Sequence, residues 1–326
     1  MMGDQGTNIH VIMAIHDPDL LRLNRQIASI LDQQDCRVSL SLFADGPQKD
    51  EANLSMLCEK WERVDLTVFP ENLGPGATFL AGLERVLELE GYNDSFFAFA
   101  DQDDIWNLDK CNLSIRAINQ NKAAAVHCDM RVVDDELLEI APSIFDHEMR
   151  NLEPTATDLF LRNNATGMTL VFTEQLARKL VELSDLRPTM WLHDHFTAFI
   201  ALCCFSKTDG SNGLTCLKVP LVDYVQHGNN LVGAATKKTQ IPGFSFLRED
   251  GPSARYLKSG ELLIAGILAR VELAPHVEEE LHDLLSSLRA SGIIELLSTV
   301  RHLLPLRWVN KSHYLRLFWS ALFSKN

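Results

Sequence analysis

The alternation of short apolar runs with amphipathic helices over the first hundred residues most constrains the fold of this chain. Four runs read as strands: residues 8–15, 37–44, 64–69 and 96–100. Between them, leucine and isoleucine recur at helical spacing over 20–34 and 76–90. The run FFAFA at 96–100 is apolar on both faces, as in a central strand covered by helices on both sides. The pattern predicts βαβ units, and therefore an α/β fold with a mostly parallel central sheet.

The alternation of strand and helix patterns becomes less regular beyond about residue 125. Further strands are predicted at 123–127, 168–172 and 217–222, with helices near 173–184 and 193–206. From about residue 245 onward the sequence has little strand character and reads as helical. We therefore predict two parts, an α/β domain over 1–240 and a helical extension over 241–326.

Composition excludes several classes of protein. The formal charge of −14 argues against a protein that coats nucleic acid, because phosphate contacts need a concentrated basic surface. Seven cysteines, an odd number without a C-x-x-C pair, predict reduced and mostly buried thiols in a cytosolic protein. The amino-terminal residues lack a secretory pattern, and the longest apolar run, 196–205, is far shorter than the roughly 20 residues of a membrane helix. We expect a cytoplasmic protein without a membrane span.

The last stretch of sequence, residues 299–326, has a different character. It combines basic residues with aromatic ones: Arg301, Arg307, Lys311 and Arg316 with Trp308, Tyr314, Phe318, Trp319 and Phe323. That mixture is typical of an amphipathic segment at a membrane interface, which would hold the protein at the inner face of the plasma membrane. A terminal helix packed on the domain, or on a second subunit in a homodimer, explains the same pattern. Both interpretations stay open.

A cluster of carboxylates follows the most apolar strand. Asp101 and Asp103 stand two apart at its end, so in an extended chain their side chains share one face and can converge on one cation. Ligands bind outside the carboxyl ends of strands in such sheets. Hard oxygen ligands suit Mg²⁺ or Mn²⁺, which keep open positions for substrate phosphates. Asp104 or Asn107 could instead cap the following helix, but three aspartates exceed what a cap requires. The cluster therefore predicts a metal site.

Six segments, in order along residues 8–235, resemble the family 2 glycosyltransferases of the GT-A type, and particularly their rhamnosyltransferase-like members. The segment DQDDIWNLDK is similar to that group's SDQDDIWLPDKL. The other five are NLGPGATFLAGLE, HCDMRVVDDE, NNATGMTLVF, WLHDHFTAFIA and VQHGNNLVGA. The resemblance implies a GT-A fold, which is a Rossmann-like nucleotide-diphospho-sugar transferase fold, with a C-terminal helical extension.

The resemblance also implies a reaction. It is the inverting transfer of rhamnose or another hexose from a dTDP- or UDP-sugar to a glycan or lipid-linked saccharide, in the synthesis of a bacterial surface polysaccharide. Mg²⁺ or Mn²⁺ would be held by Asp101, Asp103 and His227, and Asp194 would be the catalytic base. The donor would contact Ile15, His16, Asp45, Asn72, Gly74, Asp101 and Gln102. The acceptor would contact Thr166, Gly167 and His193.

A physical argument, independent of the resemblance, also supports Asp194 as the catalytic base. Inverting transfer needs one carboxylate to take a proton from the acceptor hydroxyl, while a metal stabilises the leaving group. The sequence HDH could instead bind a metal, but in a helix His193 and His195 would lie about 200° apart around the axis and could not chelate together. Asp194 as a helix N-cap remains an alternative.

Two other predicted contacts have structural alternatives. His227 could be an ordinary hydrogen-bonding residue, although the adjoining GNN suggests a tight loop brought close to a ligand. Turn chemistry alone could explain the NATG sequence that supplies Thr166 and Gly167.

Two loops depart from the family's pattern. The second strand is followed by ADGP where the family has DDGS, so one acid and the serine are missing and Asp45 remains to read the base. His16–Asp17 replaces the usual YN after the first strand. These changes motivate an alternative, a nucleotide-sugar or glycan-binding module without catalysis. A magnesium phosphotransferase is disfavoured, because DQDDIW offers no Ser or Thr beside its acids.

Overall fold

The computed structural model describes residues 7–89, 95–188, 191–209, 211–227 and 252–289. The strands within these ranges are β1 (Thr7–Ile15), β2 (Cys36–Ala44), β3 (Val64–Val68), β4 (Phe96–Ala100), β5 (Ile105–Trp106), β6 (Ala125–Val133), β7 (Glu139–Ala141), β8 (Leu170–Thr173) and β9 (Leu214–Val225). The helices are α1 (Leu20–Leu31), α2 (Glu51–Cys58), α3 (Pro75–Leu87), α4 (Lys110–Asn121), α5 (Ile144–Glu148), α6 (Ala156–Leu161), α7 (Glu174–Glu182), α8 (His193–Phe205), α9 (Pro252–Arg270) and α10 (Pro275–Arg289).

All nine of these strands form one sheet in the order β3-β2-β1-β4-β8-β6-β9-β5, with β7 paired to β6. The strands from β3 to β4 are parallel, as are β6 and β9. β8 runs antiparallel to both of its neighbours, β4 and β6. The carboxyl ends of β1, β2, β4, β6 and β9 therefore meet at one edge of the sheet, together with the amino end of β8. The predicted α/β class with a mostly parallel sheet is confirmed.

Side chains alternate between two hydrophobic clusters on opposite faces of the sheet. In β4, Phe97 and Phe99 belong to the cluster beneath α3, α7 and α8, whereas Ala98 and Ala100 belong to the cluster beneath α1 and α4. All four side chains are completely buried. FFAFA is thus the central strand that its two apolar faces predicted.

The helices α9 and α10 extend the first of these clusters. Leu263, Ile264 and Ile267 of α9 are completely buried in it. The carboxylate of Glu280 accepts from the backbone N–H of Thr157 at 2.8 Å, and the Tyr256 hydroxyl donates to the carbonyl of Phe160. The helical character predicted beyond residue 245 is confirmed for 252–289. The predicted boundary near 240 and the basic aromatic segment after 298 lie outside the described residues.

Several elements differ from the prediction. β6 and β9 are longer than the strands predicted at 123–127 and 217–222, because each continues along the other in a parallel ladder with shifts of register. The short elements α2, β5, β7, α5 and α6 had no clear periodicity in the sequence. All seven cysteines are free thiols, as expected. Within the described ranges, no helix combines the length and the apolar character needed to cross a bilayer.

Candidate active site

A cavity of about 600 Å³ opens at the edge where the strands' carboxyl ends meet. Predicted residues from five separate loops line it: Ile15, His16, Asp45, Asn72, Asp101, Gln102, Asp103, Thr166, Gly167, His193 and Asp194. Thr166 and Gly167 reach the same edge because β8 begins there. Gly74 and His227 lie just behind the wall, where each contacts a lining aspartate. The fold thus brings the sequence-predicted residues together.

A polar stripe on α1 holds the DQDDIWN loop in place. Gln26 donates to the carbonyl of Asp101 at 3.1 Å, and the Ser29 hydroxyl accepts from the N–H of Trp106 at 3.0 Å. Gln33 donates to the carbonyl of Asn107 at 2.8 Å. These side chains recur at helical spacing on an otherwise apolar face. They satisfy backbone groups that a buried loop would otherwise leave unpaired.

Burial and neighbouring negative charges raise the pKa of two carboxylates of this loop, Asp101 and Asp104. Desolvation raises the pKa of Asp101 to about 7, with further contributions from the charges of Asp103 and Asp194. Burial and the same loop's charges also raise the pKa of Asp104, whose Oδ1 accepts from the N–H of Val225 at 3.2 Å. Asp104 thereby joins the loop to β9. The loop thus concentrates three acidic side chains at one edge of the cavity.

Neither Asp104 nor Asn107 caps α4, so that alternative is wrong. The N-cap residue of α4 is Asp109, which makes no side-chain capping bond. The Asn107 Oδ1 instead accepts from the N–H of Asp109 at 3.0 Å, in a local turn. Capping therefore does not account for the aspartates.

The donor atoms present suit a hard divalent cation. The imidazole Nε2 of His227 lies 2.8 Å from Oδ2 of Asp103, and His227 is largely buried. Among the described residues, no group of three or more histidines, cysteines or acids is arranged to hold a metal by itself. Mg²⁺ and Mn²⁺ sites on one or two carboxylates are completed by waters and substrate phosphates. Asp101 and Asp103 fit that kind of site, and a third ligand from His227 stays a prediction.

Asp45 anchors the neighbouring loop. Its Oδ1 accepts from the N–H of Leu73 at 2.6 Å, and its Oδ2 accepts from the N–H of Gly74 at 3.1 Å. Gly74 has a φ of 80°, in the left-handed region that favours glycine. The ring of His16 is bonded to the Asp45 carbonyl at 3.1 Å, and Gln102 accepts from the N–H of His16 at 2.9 Å. The four loops on this side of the cavity, which follow β1, β2, β3 and β4, are therefore bonded to one another.

Asp194 lies on the opposite side of the cavity. The N-cap residue of α8 is Leu192, so Asp194 is inside the first turn and the capping alternative is wrong. Its Oδ1 accepts from the N–H of His195 at 2.7 Å and its Oδ2 from the N–H of Gly167 at 3.1 Å. Burial raises the pKa of Asp194 to about 6, although these N–H donors oppose the shift. A carboxylate with that pKa is ionised at neutral pH and can still accept a proton.

The two histidines beside Asp194 pack in different directions. The His193 ring stacks on Phe79 with 3.6 Å between centroids, and burial lowers its pKa to about 3. The His195 ring stacks on Trp191 at 3.7 Å, with its Nε2 2.6 Å from the carbonyl of Leu159. The rings hold the first turn of α8 by packing, and they do not converge on one atom.

Sequence reasoning missed much of the wall around Asp194. The additional lining residues there are Met130, Ile144, Glu148, Arg150, Asn163, Met168 and Tyr224. Most of them come from the segment 130–163, in which no element was predicted. Asn163 belongs to the NNATG block and is hydrogen-bonded to Asp194, so that block was the one available signal.

Comparisons with known proteins agree with this architecture. The profile of glycosyl transferase family 2 matches residues 11–180, which is more than half of the chain. A search of curated protein sequences found no match to this chain. Residues 1–349 of TarS from S. aureus, in complex with UDP-GlcNAc, superpose with a TM-score of 0.56 at 14% identity, covering 86% of this chain and 71% of that one.

A second solved structure covers more of the chain. The mannosyltransferase PcManGT from Pyrobaculum calidifontis, in complex with GDP-Man and Mn²⁺, superposes with a TM-score of 0.50 at 16% identity. The match covers 97% of this chain and 86% of that one. At such identities the superpositions show the fold, which is of the GT-A type, and the profile match shows the family. The chain belongs to glycosyl transferase family 2 and is a glycosyltransferase.

Proposed function

We propose that this protein is an inverting, divalent-metal-dependent glycosyltransferase. It transfers rhamnose or another hexose from a nucleoside-diphosphate sugar to a hydroxyl group of a glycan or lipid-linked saccharide, in the synthesis of a bacterial surface polysaccharide. One observation carries the proposal: a buried carboxylate suited to be a base, Asp194, faces the same cavity as the paired carboxylates Asp101 and Asp103. The sugar identity and the pathway follow from the resemblance to the rhamnosyltransferase-like members.

The donor binds at the side of the cavity formed by Asp45, Asn72 and the DQDD loop. A volume of about 600 Å³ is within the range of small-molecule sites. The structural neighbours are complexes with UDP-GlcNAc and with GDP-Man and Mn²⁺, which supports a nucleotide-sugar donor here. Asp101 and Asp103 would hold Mg²⁺ or Mn²⁺, which neutralises the diphosphate that leaves.

Asp194 acts on the acceptor. Its carboxylate accepts the proton of the acceptor hydroxyl as that oxygen attacks the anomeric carbon. The N–H groups of Gly167 and His195 fix the orientation of the carboxylate before the acceptor arrives. Thr166 and His193 lie beside it on the wall and complete the acceptor subsite.

A non-catalytic binding module is the second candidate. The observation in its favour is Asp45, because both of its carboxylate oxygens already accept N–H groups of the neighbouring loop. In that case a nucleotide sugar binds without being consumed.

A thermal-shift panel of nucleotide sugars, each with and without Mn²⁺, tests the proposal. The donor stabilises the folded state by mass action, so one dTDP- or UDP-sugar should raise the melting temperature in the presence of Mn²⁺. Release of the nucleoside diphosphate is then measured with that sugar and a panel of saccharide acceptors. Binding without release across the panel favours the binding module, and no shift with any sugar contradicts both functions.

The location of the protein is also a proposal. We infer a cytoplasmic protein, held at the membrane or in a homodimer through the basic aromatic segment after residue 298, which lies beyond the part of the chain that is described. Flotation with vesicles of anionic lipid, compared between the full chain and a chain ending at 298, distinguishes the two.

A further inference from the structure

We propose that Arg150 is a positioning residue for the base. It holds the loop 163–167 around Asp194, and its positive charge favours the ionised form of that carboxylate. This inference rests on the proposed function of Asp194 as the base. Arg150 belongs to none of the sequence blocks that resemble the family, and it follows α5 by two residues. Its side chain is 9% exposed and lines the cavity.

Arg150 is bonded to the same loop that contacts Asp194. Its Nη1 donates to the hydroxyl of Thr166 at 2.9 Å and to the carbonyl of Asn164 at 3.0 Å. The next residue along, Gly167, donates its N–H to Oδ2 of Asp194 at 3.1 Å. A displacement of the loop would therefore move a donor that orients the carboxylate.

A buried acid fixes the guanidinium in turn. The Nε of Arg150 donates to Oε2 of Glu148 at 3.0 Å, and Arg162 donates to the same oxygen at 3.2 Å. Charge-assisted bonds of this kind are short and hold a planar guanidinium in one orientation. Two cations thus share one carboxylate, and Arg150 also bonds to the loop around Asp194.

The charges facing Asp194 are few. Across the cavity is Asp101, which repels the ionised form of Asp194. On its own helix, His193 is neutral at physiological pH because burial lowers its pKa to about 3, and His195 is bonded to a backbone carbonyl. Behind His193 stands Arg187, which is bonded to the carbonyl of Trp191.

Among the described residues that line the cavity, Arg150 and Glu148 are the remaining charges near Asp194, and Arg162 stands behind Glu148. Burial raises the pKa of Asp194, and the positive charge of Arg150 opposes that shift. Loss of the guanidinium should therefore favour the protonated form, which cannot accept the acceptor's proton.

Three variants separate this role from plain structural support. Arg150→Met removes the charge and the bonds to the loop, whereas Arg150→Lys keeps the charge. Arg162→Met is the matched control, since Arg162 donates to the same Glu148 oxygen, whereas the bonds to Thr166 and Asn164 come from Arg150. For each variant, kcat is measured against pH at saturating donor, acceptor and Mn²⁺, and the melting temperature confirms folding.

The expected result is a shift of the acidic limb of the pH profile. Arg150→Met should move the limb to higher pH by about one unit, which alone lowers kcat at pH 7 about twofold, and the displaced loop should lower kcat further at every pH. Arg150→Lys should keep the limb at the wild-type position with a smaller loss of kcat. Arg162→Met should leave both unchanged.

Two results would overturn the role of Arg150. One is a loss of kcat in Arg150→Met with the limb unmoved, and the other is an equal shift in Arg162→Met. If Arg150→Met does not fold, Glu148→Gln is the test, because it leaves the charge of Arg150 less compensated and should move the limb to lower pH; an unmoved limb there also overturns the role. Wild-type protein without turnover contradicts the proposed function itself, and with it this role, before any variant is compared.

Discussion

The two sides of the cavity handle buried negative charge in opposite ways. On the donor side, Asp101, Asp103 and Asp104 crowd one loop, and burial together with mutual repulsion raises the pKa of Asp101 to about 7. On the acceptor side, the carboxylate of Asp194 accepts two backbone N–H groups and lies near the guanidinium of Arg150, which is paired with Glu148. The first arrangement is poorly compensated by the described residues. On the acceptor side, described residues supply most of the compensation for the negative charge.

The difference predicts how each side of the cavity responds to a bound cation. A carboxylate cluster with raised pKa values gains stability from a cation, so folding and metal binding should be coupled on the donor side. The acceptor side should gain less from an added cation, because two N–H donors and the positive charge of Arg150 already oppose the rise in the pKa of Asp194. Variants on the two sides should therefore respond differently to Mn²⁺.

Asp103→Asn should cause the largest change in this comparison. It removes a hard oxygen ligand and the charged partner of His227, so Mn²⁺-dependent affinity for a nucleoside diphosphate should fall by at least about tenfold. Calorimetric titration with UDP, with and without Mn²⁺, measures the effect. Asp65→Asn, an exposed acid on the edge strand β3, is the control. Mn²⁺-independent binding by the wild type would break the comparison.

Gly167→Ala should act on the acceptor side alone. A Cβ at this position would lie 2.5 Å from Nε2 of His193, whose ring is stacked on Phe79 and cannot move freely. The overlap should cost about 1–3 kcal/mol of folding free energy and displace the N–H that orients Asp194. We expect a lower melting temperature and a lower kcat, with Mn²⁺-dependent donor affinity retained. Wild-type kcat in this variant would show that the contact with Asp194 is dispensable.

Asp101→Asn should give the smallest and most diagnostic effect. The folded-state pKa of Asp101, about 7, lies above its unfolded value, so ionisation destabilises the fold increasingly from about pH 4 to pH 7. In metal-free buffer at pH 7.5 the variant should therefore melt about 2 °C higher than the wild type. At pH 4 to 5 the two should converge. A variant that melts lower at pH 7.5 would mean that the cluster is already compensated.

Mn²⁺ should reverse the order of the melting temperatures of the wild type and Asp101→Asn. Added to the wild type at pH 7.5, the ion should raise the melting temperature, and it should raise that of Asp101→Asn less. The same scan on Asp194→Asn gives the comparison from the acceptor side, where the full response to Mn²⁺ is expected.

The donor side could be predicted from the sequence to a large extent. Period-two and period-3.6 patterns located β1 to β4 and the helices α1 and α3, and parallel strands place their carboxyl ends together. The loops after those strands therefore had to meet, which put Asp45 and Asp101 in one cavity. The stripe of Gln26, Ser29 and Gln33 beneath the DQDD loop was not predicted, because a polar residue on a helix does not reveal which backbone group it satisfies.

The acceptor side was harder to predict. Glu148 ends α5 and Arg150 follows it by two residues; with only five residues, this helix is too short for its apolar period to be detected. Their contacts with Asn164 and Thr166 depend on how the segments before β8 fold back over the cavity, which no local pattern encodes. Two blocks carried a signal, NNATGMTLVF with Thr166 and Gly167 and WLHDHFTAFIA with Asp194, and that signal came from the resemblance.

The most direct test of the account is the turnover of Asp194→Asn. With the donor found by thermal shift, at saturating acceptor and Mn²⁺, we predict that kcat falls by about 10²–10⁴-fold. The dissociation constant of the donor, measured on the same preparation, should stay at the wild-type value. Wild-type turnover in this variant would contradict the assignment of Asp194 as the base.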